Sequence, residues 1–183
     1  MQKKTVKLTL SAVFMALGMV LPFLTGQVPQ IGSMLLPMHL PVFLCGLICG
    51  WKYGAVVGLV LPMLRAAVFG MPPMYPTAIA MALELLTYGL VSGLVYSRGD
   101  QHVLKVYGAL IAAMVSGRVV WGISQMVLLG IRGNAFTLQA FLSGALLSAI
   151  PGIVLQLILI PVIMVALDKS GIIRFRKTVK AAG

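Results

Sequence analysis

Three ionisable side chains lie inside long apolar stretches, where charge is costly and usually functional: Arg65, Glu84 and Arg118. At 1.5 Å per residue, all three lie roughly 18 to 21 Å from the predicted inner ends of their helices, at one level of the outer half. A guanidinium group binds a carboxylate through two parallel hydrogen bonds, and a glutamate can orient it. The three charges sum to +1, which favours a polar chamber for an anionic small molecule. A buried Arg–Glu network that only pins helices together is the alternative.

Helical spacing adds further polar side chains to these faces. Tyr88 lies four residues after Glu84, and Trp121 and Gln125 lie three and seven residues after Arg118. Aromatic rings with polar tips beside charges are typical of a small-molecule site. Ordinary packing or a belt at the membrane interface is the alternative for the two aromatic residues.

Two residues near the predicted outer surface complete the candidate binding set. His39 begins the second predicted helix, where it can contact a ligand or simply form a hydrogen bond at the helix end. Tyr75 lies in the segment 69–76, which carries three prolines within five residues. Because proline presets the backbone, this outer connection is expected to have a defined shape.

Motifs for catalysis and nucleotide hydrolysis are absent from the sequence. There is no GxxxxGK[ST] phosphate loop, no HExxH motif and no GxSxG motif, so neither ATP hydrolysis nor hydrolytic catalysis is expected. Cys45 and Cys49 lie four residues apart without the further ligands that a metal site needs. The sequence therefore predicts a protein that is not an enzyme and that has no metal or cofactor.

The composition places these residues in a membrane protein. Of 183 residues, 60% are hydrophobic and 9% are charged, and the mean hydropathy is +1.05. The net charge of +11 would suggest nucleic acid in a soluble protein, but basic residues at the ends of apolar spans anchor a protein to anionic lipid. Nucleic-acid binding is therefore not expected. The whole chain, 1–183, is expected to form a single transmembrane domain.

Apolar runs between turn residues predict six helices, at 5–25, 39–51, 53–69, 77–97, 104–130 and 141–168. The stretch 39–69 decides the topology, because as one helix it would be roughly 46 Å long, well beyond a bilayer core of about 30 Å. We expect it to turn at Trp51-Lys52-Tyr53 and to leave a short second helix. The first run, 5–25, lacks a small-x-small cleavage site and is expected to be a retained span.

The distribution of basic residues predicts the orientation. With a turn at Lys52, eleven of the fourteen basic residues fall on one side of the membrane, and Arg132 alone falls in an outer loop. The positive-inside rule then places both termini in the cytoplasm. The eleven residues are Lys3, Lys4, Lys7, Lys52, Arg98, Lys105, Lys169, Arg174, Arg176, Lys177 and Lys180.

Small residues recur at helical spacing in two places. Gly46, Gly50, Gly54 and Gly58 repeat every four residues and favour close packing inside the protein. Ala12 and Ala16 lie on an otherwise bulky first helix, where they can form a groove that receives another protein.

Several segments resemble the S components, the substrate-binding membrane subunits, of energy-coupling factor (ECF) transporters. They are PMHLPVFLCG (37–46), GWKYG (50–54), FGMPPMYPTAIAM (69–81) and ELLTYG (84–89), and the Ala12-x-x-x-Ala16 pattern is similar to the family's docking motif. The resemblance implies capture of a scarce vitamin outside a bacterial cell membrane. It also implies a complex with a transmembrane T component and two ATP-hydrolysing subunits. The charge of the chamber favours an anionic substrate such as pantothenate.

Three other functions remain as alternatives. A stand-alone secondary transporter would have only one membrane acid to carry protons or sodium. An intramembrane enzyme lacks catalytic pairs, and a structural scaffold leaves the buried charges unexplained.

Overall fold

The computed structural model describes residues 4–25, 36–98, 100–131, 133 and 149–171. Within these ranges the chain is all helical, with six α-helices and no strand. A 3₁₀ turn over Leu21–Thr25 extends the first helix, and a π-helical turn over Met74–Ala78 leads into the fourth. In chain order, the helices are α1 (Lys4–Val20), α2 (His39–Cys49), α3 (Trp51–Phe69), α4 (Ile79–Ser97), α5 (Val103–Ile131) and α6 (Ile150–Lys169).

Five of the helices, all except α2, are long and apolar enough to cross a membrane. With 11 residues, α2 is only about 16 Å long, short of a bilayer core of about 30 Å. The prediction of an all-helical membrane protein is confirmed, and so is the short second helix. Where the sequence predicts six spans, the described residues contain five full-length candidates and one short apolar helix.

The turn between α2 and α3 lies at Gly50, not at the predicted Trp51-Lys52-Tyr53. Gly50 has φ = 101°, a conformation that residues with a side chain rarely adopt, and Trp51 already begins α3. The interfacial residues Trp51 and Lys52 suggested a loop, but the glycine breaks the helix one residue earlier. The segments 26–37 and 131–139, which the charge pattern predicts on the outer side, lie largely outside the described residues, as do the start of the predicted helix 141–168 and the basic C-terminal residues.

Glycines let α2, α3 and α4 approach closely. A Cβ atom added to Gly54 would lie 2.6 Å from the Cα atom of Gly46, and one added to Gly58 would collide with the backbone of Leu85 in α4. Gly89 of α4 faces the backbone of Gly54 in the same way. The predicted role of the glycine row in internal packing is therefore confirmed for these positions. Gly50 serves the turn instead.

The first helix packs on α2 and α3 through one face only. That face carries Ser11, Phe14 and Gly18, all of which are buried. Ala12 and Ala16 are exposed on the rest of the helix surface. The alanine pair is thus open to lipid or to another protein.

Candidate functional site

The carboxylate of Glu84 is the centre of a buried polar cluster between α2, α4 and α5. Its Oε1 atom lies 3.1 Å from Nη1 of Arg118 and accepts a 2.7 Å hydrogen bond from the hydroxyl of Tyr88. Its Oε2 atom lies 3.9 Å from Nε2 of His39. Only 2% of Glu84 and 1% of His39 are exposed, so the charge pair is shielded from solvent. Four of the predicted site residues are therefore brought together.

The ring of Tyr88 is fixed by its neighbours on three helices. It stacks on Phe43 of α2 with a centroid distance of 4.8 Å and an interplanar angle of 21°, and it lies 5.4 Å from the ring of His39. On the other side it occupies the space that a side chain at Gly117 of α5 would need. This packing directs the Tyr88 hydroxyl at Glu84, one helical turn away.

Several buried polar atoms around this cluster have no hydrogen-bond partner among the described residues. They are Nδ1 and Nε2 of His39, Nε and Nη2 of Arg118, and Oε1 of Gln125. Buried polar groups are nearly always paired in folded proteins, and leaving one unpaired costs about 1–3 kcal/mol. Unpaired donors and acceptors at one site need partners, such as water, an ion or a ligand.

The two free nitrogens of Arg118 lie on the same edge of the guanidinium plane. Nη1 is engaged by Glu84 at the other side of the group, so the Nε–Nη2 edge keeps its fork of parallel donors. Such an edge matches the two oxygens of a carboxylate. Gln125 lies seven residues further along the same face of α5, about 10 Å away, and offers an acceptor.

Arg65 belongs to a separate group. Its Nη1 atom donates a 2.7 Å hydrogen bond to the carbonyl of Met19 at the end of α1, and the guanidinium lies 5.2 and 5.3 Å from the rings of Phe23 and Phe69. Among the described residues it forms no ion pair with Glu84. The three charges that the sequence predicts in one chamber are thus divided, because Arg65 reaches the first helix instead of α4.

The remaining predicted site residues lie on α5 and in the π-helical turn before α4. The hydroxyl of Tyr75 donates to the carbonyl of Leu128 and joins the π-helical turn to α5. Trp121 is half-buried on α5, between Arg118 and Gln125. Their predicted contact with a ligand stays a prediction.

Sequence reasoning missed Gln156 of α6. This side chain is 2% exposed, and its Nε2 atom donates a 3.3 Å hydrogen bond to the carbonyl of Leu36. The same carbonyl accepts the backbone N–H of His39 at 3.0 Å, so Gln156 supports the start of α2. The sequence does contain a signal for a buried polar role, because Gln156 is a single polar residue in the apolar run 150–167.

The cluster is built for recognition more than for bond chemistry. Among the described residues, no three His, Cys, Asp or Glu side chains lie close enough to hold a metal ion. Cys45 and Cys49 are buried, and the Cys45 thiol lies 3.6 Å from the Ser11 hydroxyl, in agreement with a packing role. What the cluster offers is a fixed set of donors and acceptors around one paired charge.

Comparison with known proteins identifies the family to which these features belong. Residues 6–164 match the family model described as the substrate-specific component of the ECF transporter. No curated protein and no solved structure gives a significant match. The matched segment covers most of the chain and contains every residue of the buried cluster. The chain therefore belongs to the family of substrate-specific components of ECF transporters.

Proposed function

We propose that this chain is the high-affinity binding subunit of an ATP-driven ECF importer and that it captures a small, water-soluble, anionic micronutrient, with pantothenate as the first candidate. The observation that carries the proposal is the buried Nε–Nη2 edge of Arg118, which lies beside the Glu84 carboxylate and has no hydrogen-bond partner among the residues that the structure describes. Family membership makes the protein a membrane transporter subunit and not an enzyme. The nature of the substrate rests on the chemistry of the site.

The buried Glu84–Arg118 ion pair is costly while the remaining donors of Arg118 have no partner. An ion pair inside a membrane protein loses hydration on both partners, and the pair is favourable only when the remaining donors are also satisfied. Arg118 keeps two nitrogens without a partner in the described ranges, and its side chain is only 12% exposed. A ligand carboxylate would satisfy both, and this gain would appear directly as binding affinity.

The rest of the cluster suits the other end of such a ligand. Oε1 of Gln125 can accept a hydrogen bond from a hydroxyl or amide group about 10 Å from the carboxylate. The stacked rings of Tyr88 and Phe43 lie beside the charge pair. A compact molecule with an acid at one end and a donor at the other, as in pantothenate, fits this arrangement.

The proposed partners and orientation follow from the family and from the charge pattern. We propose that α1 docks through Ala12 and Ala16 on a T component, which assembles with two ATP-hydrolysing subunits in the bacterial cell membrane. Both termini and the turn at Gly50 face the cytoplasm in this proposal, as the positive-inside rule requires. Tyr75, Trp121 and Gln125 are proposed as residues that line the ligand site, and Arg65 as a residue that holds α1 against α3.

Reconstitution tests this function directly. The chain should be purified with a T component and two ATPases, placed in proteoliposomes and assayed for uptake of labelled pantothenate and a vitamin panel. We expect uptake that needs internal ATP and stops when the ATPases are inactivated by mutation. Uptake by this chain alone, driven by a proton or sodium gradient, would contradict the proposal and favour a secondary transporter.

A further inference from the structure

We infer that the site binds its anionic ligand together with one proton, and that His39 is the group that accepts the proton. This inference rests on the proposed function, because it concerns the ligand of the same site. It adds a second bound species and a dependence on pH that the family assignment does not supply.

Binding of an anion changes the net charge of the Glu84 cluster. Glu84 and Arg118 are 3.1 Å apart and their charges cancel, so the cluster is neutral when His39 is neutral. A carboxylate on the free edge of Arg118 would leave a net charge of −1 in a buried site. Isolated buried charge is expensive, and proteins usually respond by changing the protonation of a nearby group.

Arg65 does not supply a positive charge to the Glu84 cluster. Its guanidinium is hydrogen-bonded to Met19 and lies between Phe23 and Phe69, at the contact between α1 and α3. Among the described residues, the group that is placed to balance the charge therefore lies inside the Glu84 cluster.

His39 is the group in the cluster that can take up a proton. The side chain is 1% exposed and, within the described part of the chain, neither ring nitrogen has a hydrogen-bond partner, although Nε2 lies 3.9 Å from Oε2 of Glu84. The charged and titratable groups that face the ring are Glu84 and Tyr88 of α4 and, through Glu84, Arg118 of α5. The charged residues of α1, α3 and α6 have no ion pair with the ring among the described residues; they are Lys4, Lys7, Lys52, Arg65, Asp168 and Lys169.

Proton uptake would place a positive charge beside the Glu84 carboxylate. As an imidazolium, His39 has donors on both nitrogens, and its Nε2–H points to the nearest oxygen of Glu84 after a small closure of the 3.9 Å gap. Four charges would then alternate: the ligand carboxylate, Arg118, Glu84 and His39. Their sum is zero, which removes the cost of the added anion.

The experiment compares matched acids and neutral analogues in thermal-shift assays on the purified chain. The pairs are pantothenate with pantothenol, biotin with biotinamide, and nicotinate with nicotinamide. We expect the acid of one pair to stabilise the protein and its neutral partner to have little effect. If a neutral member stabilises the protein best, or if no acid does, the inference is wrong.

Calorimetry on the stabilising acid then counts protons. Titrations in phosphate and in Tris, which differ in ionisation enthalpy, should give an uptake of about one proton per ligand, and affinity should rise by up to about tenfold per unit as the pH is lowered. Binding without proton uptake would overturn the inference and leave the proposed function intact. Because this measurement uses the native protein, it does not depend on a variant that folds.

Two histidine variants test which group binds the proton. His39→Gln keeps a polar side chain but cannot hold the charge, so proton uptake should vanish and the affinity for the acid should fall about tenfold or more. His102→Gln is the matched control, because His102 is the other histidine of the chain and is exposed just before α5. Uptake that persists in the His39 variant would show that another group takes the proton.

Discussion

The carboxylate of Glu84 in α4 lies 3.1 Å from Nη1 of Arg118 in α5, and this pair engages only one side of the guanidinium group. The opposite edge, with Nε and Nη2, is buried and free of protein partners among the described residues. Glu84 thus orients the arginine without using its carboxylate-binding fork. The two residues have different roles: one fixes the position of the charge, and the other faces the ligand.

The different roles predict that Glu84→Gln destabilises the protein in the absence of ligand. The change leaves Arg118 as a buried cation without its anion, and breaking a buried pair by removing one partner typically costs about 3–5 kcal/mol. An anionic ligand should restore much of this stability by mass action. The measurement is thermal unfolding in detergent with and without ligand. An unchanged melting temperature for the unliganded variant would show that Glu84 does not hold the cluster together.

The separation of the two arginines predicts that Arg118→Lys and Arg65→Lys have different effects. Lysine cannot reproduce the planar fork, so Arg118→Lys should weaken ligand binding by about 1.5–3 kcal/mol. Arg65→Lys should lower the melting temperature, because it weakens the contact of Arg65 with Met19 and two aromatic rings, while it leaves affinity nearly unchanged.

Comparing these two variants tests whether Arg65 lies in the ligand site, as the sequence predicts. Affinity should be measured by calorimetry for both lysine variants under identical conditions. Equal losses of affinity would place Arg65 in the ligand site, as the sequence predicts. A loss confined to Arg118 would assign Arg65 to the contact between α1 and α3.

The buried cluster was largely predictable, because membrane-embedded charge is rare and helical spacing is regular. Glu84 and Tyr88 are one turn apart, so their contact follows from the sequence alone, and the similar depth of Glu84 and Arg118 made their pairing reasonable. The depth of a residue in the membrane does not specify, however, in which direction its side chain points around the helix axis. This is why the sequence does not reveal that Arg65, at nearly the same depth, forms its hydrogen bond with Met19 of α1.

Close packing was harder to predict. Gly117 lies beside the Tyr88 ring, and Gln156 reaches the carbonyl of Leu36 across 120 residues of sequence. Both relationships depend on how three helices are rotated against one another, which hydropathy and charge do not specify. The turn at Gly50 was misplaced by one residue because the polar and interfacial residues after it also suggested a loop.

The packing of Tyr88 predicts that Gly117→Ala impairs both folding and binding. The added Cβ atom would collide with the Tyr88 ring, so the ring must move and its hydrogen bond to Glu84 is disturbed. Overpacking of this kind typically costs about 1–3 kcal/mol. Melting temperature and ligand affinity should therefore both fall.

Gly108→Ala is the matched control for this variant. Gly108 lies in the same helix, and a Cβ atom there has no atom within 4 Å, so the protein should be unaffected or slightly stabilised. Equal behaviour of the two alanine variants would show that Gly117 does not determine the position of Tyr88.

The proposed orientation predicts which cysteine variants can be labelled from outside the cell. Met74, in the proposed outer turn, is 45% exposed, and Lys52, at the proposed cytoplasmic turn, is also exposed. An impermeant thiol reagent added to intact cells should label Met74→Cys and spare Lys52→Cys until the membrane is opened. The native thiols Cys45 and Cys49 are buried and give little background. Labelling in the reverse order would invert the topology.

The exposed face of α1 predicts that partner assembly and ligand binding can be separated. Ala12 and Ala16 are exposed, so Ala12→Leu or Ala16→Leu adds bulk without entering the core. Each change should obstruct close approach of a T-component helix and reduce co-purification of the complex. Ligand affinity and melting temperature of the isolated chain should stay nearly constant, because the buried face of α1 is unchanged.

Ala67→Leu provides the control for this prediction, since Ala67 is an exposed alanine on α3 and the substitution adds the same volume. It should leave assembly intact, because docking on α1 requires the small residues of that helix and not a smooth surface in general. Pull-down of the tagged T component measures assembly, and calorimetry on the isolated chain measures binding. If Ala67→Leu reduced assembly as much as Ala12→Leu, the alanine pair would not be the docking site. If Ala12→Leu also abolished ligand binding by the isolated chain, the pair would act inside the protein instead.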